Sequence, residues 1–264
     1  MLFSVIMLSY NSLRTLDKSL NMVKDALSEF DGDSEVIVIE NGSTDGSVDV
    51  LKELVSKNPN LIVPIFSDKN LGTTVSRNKA LAHSTGEYVL VLDSDAFIDH
   101  ECLNKLKLVL DTSPNVGLVC PKVFYGDGRF QLSTDQFPTL KRKLQRFFGL
   151  NEIQSKINHK ELKSEYVDYA ISACWLLRRN AVDAVGGFDE RIFYAPEDVD
   201  YCITLWKTGF EIKFEPDAEM IHDAQELSRG GKINKYHVYH LLGLFYLFLK
   251  HRYVFSLNKY SLRR

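Results

Sequence analysis

The feature that most constrains this chain is an alternation of β-rich runs with segments of helical spacing between residues 3 and 92. The β-rich runs are residues 3–9, 35–39, 61–66 and 88–92. The helix-like segments between them are residues 13–27, 48–55 and 75–82. Alternating strands and helices form βαβ units, so the pattern predicts an α/β fold whose parallel sheet has helices on both faces.

Each predicted strand ends in polar residues. The four ends are Ser9-Tyr10-Asn11, Glu40-Asn41-Gly42-Ser43, Ser67-Asp68-Lys69-Asn70 and Asp93-Ser94-Asp95. Ligands of parallel sheets bind beyond the carboxyl ends of the strands. We therefore expect these four ends to meet at one edge of the sheet and to form a binding site there.

The fourth end places two carboxylates one residue apart, in Asp93 and Asp95. Oxygen ligands of this kind suit Mg²⁺ or Mn²⁺, which bind proteins through one or two carboxylates plus substrate phosphates. An ordinary turn, in which Asp95 caps the segment that follows, is the alternative. A D-x-D motif alone does not decide between them.

The stretch NLGTTVSRNKAL, residues 70–81, places a glycine and hydroxyl groups at a helix entrance, with Arg77 further along. Helix entrances offer free N–H groups to anions, and arginine pairs with phosphate. Next to the two aspartates, this pattern favours a diphosphate bound between a metal and Arg77. Simple helix capping with a solvated arginine is the alternative reading of the same residues.

The later part of the chain contains a second acidic cluster, in YAPEDVD. Pro196 suits the first position of a helix, which places Glu197 and Asp198 in the first turn. Stabilisation of the helix dipole would explain some of this negative charge. Helix capping does not require all three acids, Glu197, Asp198 and Asp200. A carboxylate at this point beside a cleft could accept a proton from a hydroxyl. His222 follows a strand-like run and would bind metal only with partners at the same edge.

The charge of the chain is unevenly distributed. The net charge is −3, yet residues 227–264 contain eight Lys or Arg and no acid, which leaves −11 on the first 226 residues. An acidic body argues against nucleic acid as a partner, while the basic end predicts an anionic one. Four scattered cysteines without a CxxC pair fit a reducing cytoplasm. The apolar start has no basic region before it and is predicted to be a strand, not a signal peptide.

Two segments are candidates for membrane contact. Residues 241–249 are nearly all apolar but too short for the roughly 20 residues that span a bilayer, so interfacial binding fits. Residues 140–148 place Leu140, Leu144, Phe147 and Phe148 on one helical face. Packing of the 241–249 helix on the protein core or in a homodimer is the alternative.

Six ordered motifs together resemble glycosyltransferase family 2, in its rhamnosyltransferase-like bacterial branch. They are SYNS, VIVIENGSTDGS, NLGTTVSRN, GEYVLVLDSDAFI, GGFDERIFYAPEDVDYCITLWKTGF and the later His222, within residues 1–225. The resemblance implies the glycosyltransferase-A fold, with a mostly parallel central sheet flanked by helices. It implies a catalytic domain at residues 1–226, divided into a nucleotide-sugar-binding half at 1–98 and an acceptor half at 99–226, followed by a C-terminal membrane-association or packing region at 227–264.

The same resemblance implies a role for each matching residue. Donor-binding residues would be Ser9, Tyr10, Asn11, Glu40, Asn70, Arg77, Asp93 and Ser94. Asp95 and His222, with Asp93, would hold Mn²⁺ or Mg²⁺. Asp198 would be the catalytic base, and Glu197 would assist in binding the sugar or acceptor. Glu40 stands where family members usually have an aspartate that binds the base, so UDP and dTDP both stay open.

These observations predict an inverting, metal-dependent glycosyltransferase. It would move a sugar from a UDP- or dTDP-sugar to a saccharide acceptor, which we expect to be attached to a lipid, in cell-surface polysaccharide synthesis. The expected location is the cytoplasm, at the inner face of the cell membrane. A sugar nucleotidyltransferase would need a Gly-rich basic loop after the first strand, which SYNSLRTL lacks. A catalytically silent nucleotide-sugar-binding partner in a glycan assembly complex is the other alternative.

Overall fold

The protein is represented by a computed structural model that describes residues 1–143, 154, 156–224 and 235–262. The strands are β1 (Phe3–Ser9), β2 (Ser34–Glu40), β3 (Ile62–Phe66), β4 (Tyr88–Asp93), β5 (Ala96–Phe97), β6 (Val116–Tyr125), β7 (Phe130–Gln131), β8 (Thr134–Asp135), β9 (Glu165–Tyr166), β10 (Tyr169–Ala170), β11 (Cys174–Arg178) and β12 (Glu211–His222). The helices are α1 (Leu16–Ser28), α2 (Ser47–Lys57), α3 (Thr73–His83), α4 (His100–Thr112), α5 (Arg179–Val185), α6 (Glu197–Lys207) and α7 (Lys235–His251), and a 3₁₀ turn spans Lys259–Leu262.

One large sheet crosses the molecule in the order β3-β2-β1-β4-β11-β6-β12-β5. Strands β1 to β4 pair in parallel, as the βαβ pattern predicts. The sheet then changes direction, because β11 lies antiparallel to both β4 and β6, while β6 and β12 pair in parallel. The parallel half therefore places the ends of β1, β2 and β4 at one edge, where the predicted ligand site lies.

The sheet is buried on both faces, as expected for strands covered by helices on either side. In β1, Val5 and Met7 belong to one apolar cluster and Ile6 belongs to the other. Alternate residues of a strand point to opposite faces, so β1 contributes to the core on each side. The nearly continuous apolar character of this run follows from that double burial.

The predicted ends of the first four strands and of the three helices between them agree with the structure to within three residues. Helix α6 begins at Glu197, so Pro196 stands just before the helix and not at its first position. Helix α5 ends at Gly186, whose φ of 79° is the left-handed conformation that favours glycine. Strand β12 runs from Glu211 to His222, so His222 is the last residue of the strand and not the residue after it.

Helix α7 packs on the core with one face, through Leu244 and Leu247. Its C-terminal end is tied to α6, because Asp200 accepts hydrogen bonds from Lys250 Nζ and His251 Nε2, each at 2.8 Å. Asp200 therefore has a structural role in binding α7, which explains why α6 has one more acid in its first turn than helix capping requires. None of the helices in the described ranges has the length and apolar character required to cross a membrane. Of the 140–148 segment, residues 144–148 lie outside the described residues.

Candidate active site

A cavity of about 830 Å³ opens at the carboxyl ends of β1 and β4 and beside the N-terminus of α6. The predicted site residues that line it are Tyr10, Asn11, Asn70, Arg77, Asp93, Ser94, Asp95, Glu197, Asp198 and His222. Two predicted donor-binding residues, Ser9 and Glu40, are buried behind its wall and do not line it. The structure therefore gathers at one cavity residues that lie up to 212 positions apart in the chain, from Tyr10 to His222.

Asp93, Asp95 and His222 form a cluster whose potential ligand atoms all lie within 4.8 Å of one another. His222 Nε2 is 3.3 Å from Asp95 Oδ1 and 4.0 Å from Asp93 Oδ2. The backbone brings them together, because His222, at the end of β12, pairs with Ala96 of β5, the residue after Asp95. The N–H of Asp223 also donates to the carbonyl oxygen of Asp95 at 2.9 Å. The short β5 strand therefore explains the proximity of the histidine to the DSD motif.

The orientation of the His222 ring suits a metal ligand. Its Nδ1 is 3.1 Å from Oε1 of the buried Gln131, so Nδ1–H donates to that oxygen. Nε2 then carries the lone pair and faces the two aspartates. A hydrogen bond from the other ring nitrogen is the usual arrangement of a metal-binding histidine, because it fixes the tautomer and the ring angle. The two carboxylates and this imidazole nitrogen therefore fit a divalent cation.

Arg77 connects the DSD motif with the acidic start of α6. Its Nη2 donates to Asp93 Oδ1 at 2.8 Å, and its Nη1 donates to Glu197 Oε1 at 3.1 Å. Nη1 also donates to Ser172 Oγ at 2.8 Å, and that hydroxyl is 3.1 Å from Glu197 Oε1. The guanidinium is thus buried between two carboxylates, and its predicted contact with a donor diphosphate stays a prediction.

Burial controls the electrostatics of these acids. It raises the pKa of Glu197 to about 8, with the Asp198 charge adding to the rise and Arg77 opposing it. It also raises the pKa of Asp93, again against the opposing charge of Arg77. The Asp93 side chain is 31% accessible and lines the cavity. Asp198 also lines the cavity, and its Oδ1 accepts the N–H of Val199 at 2.7 Å.

The loops after β1 and β2 form the other end of the cavity. Asn11 has a φ of 51°, and its Oδ1 accepts the N–H of Thr44 at 2.9 Å, which joins the two loops. The carboxylate of Glu40 accepts the N–H groups of Gly42 and Ser43, each at 3.0 Å. Glu40 therefore holds the shape of its own loop, and its predicted contact with a nucleotide base stays untested.

Ser12 and Asn70 also line the cavity and make hydrogen bonds that connect neighbouring loops. The hydroxyl of Ser12 lies 2.7 Å from that of Ser94, so the first loop is tied to the DSD motif. Asn70 Oδ1 accepts hydrogen bonds from Asn41 Nδ2 at 3.1 Å and from the N–H of Gly72 at 2.8 Å. These bonds fix the backbone at the entrance of α3.

Sequence reasoning missed several residues of the cavity. Gln131 and Ser172 support His222 and Glu197, and neither stands in a recognisable motif. The wall also includes Lys143 and His240, whose Nζ and Nε2 atoms lie 3.1 Å apart. His240 comes from α7, so the C-terminal region contributes directly to the cavity.

Comparison with known proteins shows the family of this chain. The model of the family "Glycosyl transferase family 2" matches residues 4–186, more than half of the chain. Over 204 residues the chain is 30% identical to an N-acetylglucosaminyl-diphospho-decaprenol L-rhamnosyltransferase of Mycobacterium tuberculosis, covering 71% of this chain and 66% of that protein. Over 103 residues it is 39% identical to a cholesterol galactosyltransferase of Borreliella burgdorferi, covering 39% of this chain and 27% of the relative. The chain thus spans less than two thirds of the length of either relative.

The fold has solved counterparts. The mannosyltransferase PcManGT of Pyrobaculum calidifontis, solved with GDP-Man and Mn²⁺, superposes with a TM-score of 0.62 at 17% identity and covers 95% of this chain and 64% of its own. At that identity the likeness establishes the fold alone. Together with the α/β architecture above, it identifies the fold as the glycosyltransferase-A fold.

Proposed function

The chain belongs to glycosyltransferase family 2, and we propose that it is an inverting, metal-dependent glycosyltransferase. It would move one sugar from a UDP- or dTDP-sugar to a hydroxyl group of a saccharide acceptor. The observation that carries the proposal is the cavity itself, which has the Asp93, Asp95 and His222 cluster and the Glu197-Asp198 pair on its wall. A glycosyl transfer needs both a site for an anionic leaving group and a base.

Asp198 is the base in this proposal. Its carboxylate would accept the proton of the acceptor hydroxyl while the hydroxyl oxygen bonds to the anomeric carbon. The bond from that carbon to the diphosphate oxygen breaks with its electron pair on the nucleoside diphosphate. A single displacement inverts the carbon, so no covalent enzyme nucleophile is required. Glu197, held by Arg77 and Ser172, would position the start of α6 and assist in binding.

The cluster of Asp93, Asp95 and His222 would hold Mn²⁺ or Mg²⁺. A cation bound there would stabilise the negative charge that develops on the departing diphosphate. The hydrogen bond from His222 Nδ1–H to Gln131 Oε1 supports this assignment, because it makes Nε2 the lone-pair nitrogen of the neutral ring and aims it at the carboxylates. The loops after β1 and β2, with Tyr10 and Asn11, would contact the nucleoside in the 1–98 half.

The acceptor is proposed to be carried on a lipid. The names of two relatives support this, since one states a diphospho-decaprenol acceptor and the other states cholesterol. Such an acceptor places the reaction at a membrane surface, so the enzyme would act as a peripheral protein on the cytoplasmic face in polysaccharide synthesis. The 99–226 half would bind the acceptor, and the basic 227–264 region would meet anionic lipid.

A donor screen tests the proposal. Thermal shift with UDP-, dTDP- and GDP-sugars, with and without Mn²⁺, should find one nucleotide that raises the melting temperature only when the metal is present. The matching donor should then be hydrolysed slowly, releasing nucleoside diphosphate. Failure of every donor to bind, at any Mn²⁺ concentration, would contradict the proposal. Donor binding without turnover in any acceptor mixture would instead favour a silent binding partner.

A further inference from the structure

We propose that the outward face of α7 docks flat onto a bilayer surface that contains anionic lipid, and that this contact presents the acceptor end of the cavity to the membrane. The outward face consists of Val238, Leu241, Leu242, Phe245 and Leu249. Each of these apolar side chains is at least half exposed, from 50% for Val238 to 67% for Leu241. The inference deepens the proposed function, on which the acceptor part of it rests.

The geometry of the helix separates two apolar surfaces. At 3.6 residues per turn, the five outward residues fall within about 100° of arc on one side of α7. Leu244 and Leu247 lie on the opposite side and are buried in the core. The core therefore buries one apolar face of the helix, while the other face exposes large apolar side chains to solvent. Monomeric proteins rarely leave such a patch without a use.

The patch continues beyond the helix. Val254 and Phe255 follow α7, and both are exposed, Phe255 by 81%. The N–H of Leu140 donates to the carbonyl oxygen of Val254 at 3.1 Å, so the exposed Leu140 lies beside Val254. A set of apolar side chains that lies along one helix and its flank suits insertion at the depth of lipid headgroups.

The charges around the patch favour lipid as the occupant. Residues 227–264 contain no acid, and among the described residues Arg252 follows α7 exposed and Lys141 is exposed beside Leu140. Lys250 is already bound to Asp189 and Asp200, so it counts toward anchoring the helix and not toward lipid contact. A second copy of the chain would bring a rim of the same sign against this one. An anionic bilayer is complementary to both the apolar face and its basic rim.

The position of α7 links this surface to the reaction. A Cβ at Gly243 would lie 2.2 Å from the carbonyl oxygen of Ala195, so the helix backbone contacts the loop that leads to Glu197 and Asp198. His240 of the same helix lines the same cavity as the proposed metal cluster. A bilayer bound to the outward face would therefore meet the protein next to the acceptor side, where a lipid-carried saccharide must enter.

Flotation with vesicles tests the docking. Wild-type protein should float with phosphatidylcholine vesicles that contain phosphatidylglycerol, and Leu241→Ser/Phe245→Ser should lower the partition coefficient at least about tenfold. The control is Leu108→Ser/Phe66→Ser, which removes one leucine and one phenylalanine of 59% and 47% exposure from elsewhere. This control should float like the wild type. Point changes are preferable to deletion of the tail, because Leu247 is part of the core.

Three outcomes would overturn the proposal. One is a wild-type protein that stays with the unfloated fraction, and another is equal flotation of the wild type and the Leu241→Ser/Phe245→Ser variant. The third is a wild-type dimer in analytical ultracentrifugation that the same variant converts to monomer, since a second copy would then cover the face. Mn²⁺-dependent donor binding of each variant is measured in parallel. It should be unchanged, so failure of docking and failure of the proposed function are distinguishable.

Discussion

Replacing Gln131 with leucine should weaken metal binding without removing any metal ligand. Gln131 is buried, with 4% of its surface exposed, and its Oε1 is the acceptor for Nδ1–H of His222 at 3.1 Å. Leucine has a similar size but cannot accept this bond. The ring then favours the other tautomer, whose Nε2–H can donate to Asp95 Oδ1, now 3.3 Å away. That proton occupies the lone pair that the cation needs.

The expected magnitude follows from similar supporting bonds at metal sites. Loss of such a bond lowers metal affinity by about 10- to 100-fold, equivalent to about 1.4–2.8 kcal/mol. Calorimetric titration of Mn²⁺, in the presence of the nucleotide that the donor screen identifies, measures the change. Gln131→Glu should keep the affinity, because a carboxylate also accepts the Nδ1–H bond, and Gln136→Leu on the exposed surface is the matched control. Equal Mn²⁺ affinity for wild type and Gln131→Leu would refute the reasoning.

Three further changes test the rest of the site. Asp198→Asn should keep donor affinity but lower turnover by about 10²-fold or more, by steady-state kinetics, and near-normal turnover would rule out Asp198 as the base. Arg77→Gln leaves the buried carboxylates of Asp93 and Glu197 without their cation and should lower the free energy of unfolding in urea by about 3–5 kcal/mol. A loss under about 1 kcal/mol would mean that the ion pairs matter little. Gly243→Ala should lower the melting temperature, because the new Cβ overlaps the Ala195 carbonyl oxygen. A raised melting temperature, normal for Gly→Ala in a helix, would argue against that contact.

The parallel half of the fold was predictable from local sequence. Strands β1 and β4 are apolar runs with sharp polar ends, and the structure places β1 at Phe3–Ser9 and β4 at Tyr88–Asp93. The direction of β11 was not predictable, because a short run buried on both faces has the same apolar pattern whether it pairs parallel or antiparallel. The antiparallel pairing of β11 with β4 is fixed by long-range contacts instead.

The residues of the candidate site also fall into two groups, those that local sequence predicts and those that only long-range contacts bring together. The aspartates of the DSD motif are recognisable because they lie at the end of a strand. The proximity of Asp95 to His222 depends instead on the pairing of β5 with β12, in which His222 pairs with Ala96, 126 positions earlier in the chain. No local pattern contains that information, and only the resemblance to a family suggested it. Gln131 and Ser172 were missed for the same reason, since each acts through a residue distant in sequence.

Helix α7 has two apolar surfaces, one buried and one exposed, that its amino-acid composition does not distinguish. Residues 241–249 form an apolar run that suggested either membrane contact or packing. The structure shows packing for Leu244 and Leu247 and exposure for Leu241 and Phe245. Both surfaces are apolar, so hydrophobic periodicity could not separate them. The partners of Lys250 and His251 were equally hidden, because Asp189 and Asp200 lie in another part of the chain.

The most direct test of the account is to locate the metal. Crystals soaked with Mn²⁺ and the donor nucleotide found in the screen should show an anomalous peak bonded to both Asp95 and His222, with Asp93 alongside. The account predicts that this peak disappears in His222→Ala crystals soaked in the same way. A well-ordered nucleotide with no manganese between Asp95 and His222, or with manganese bound elsewhere, would contradict it.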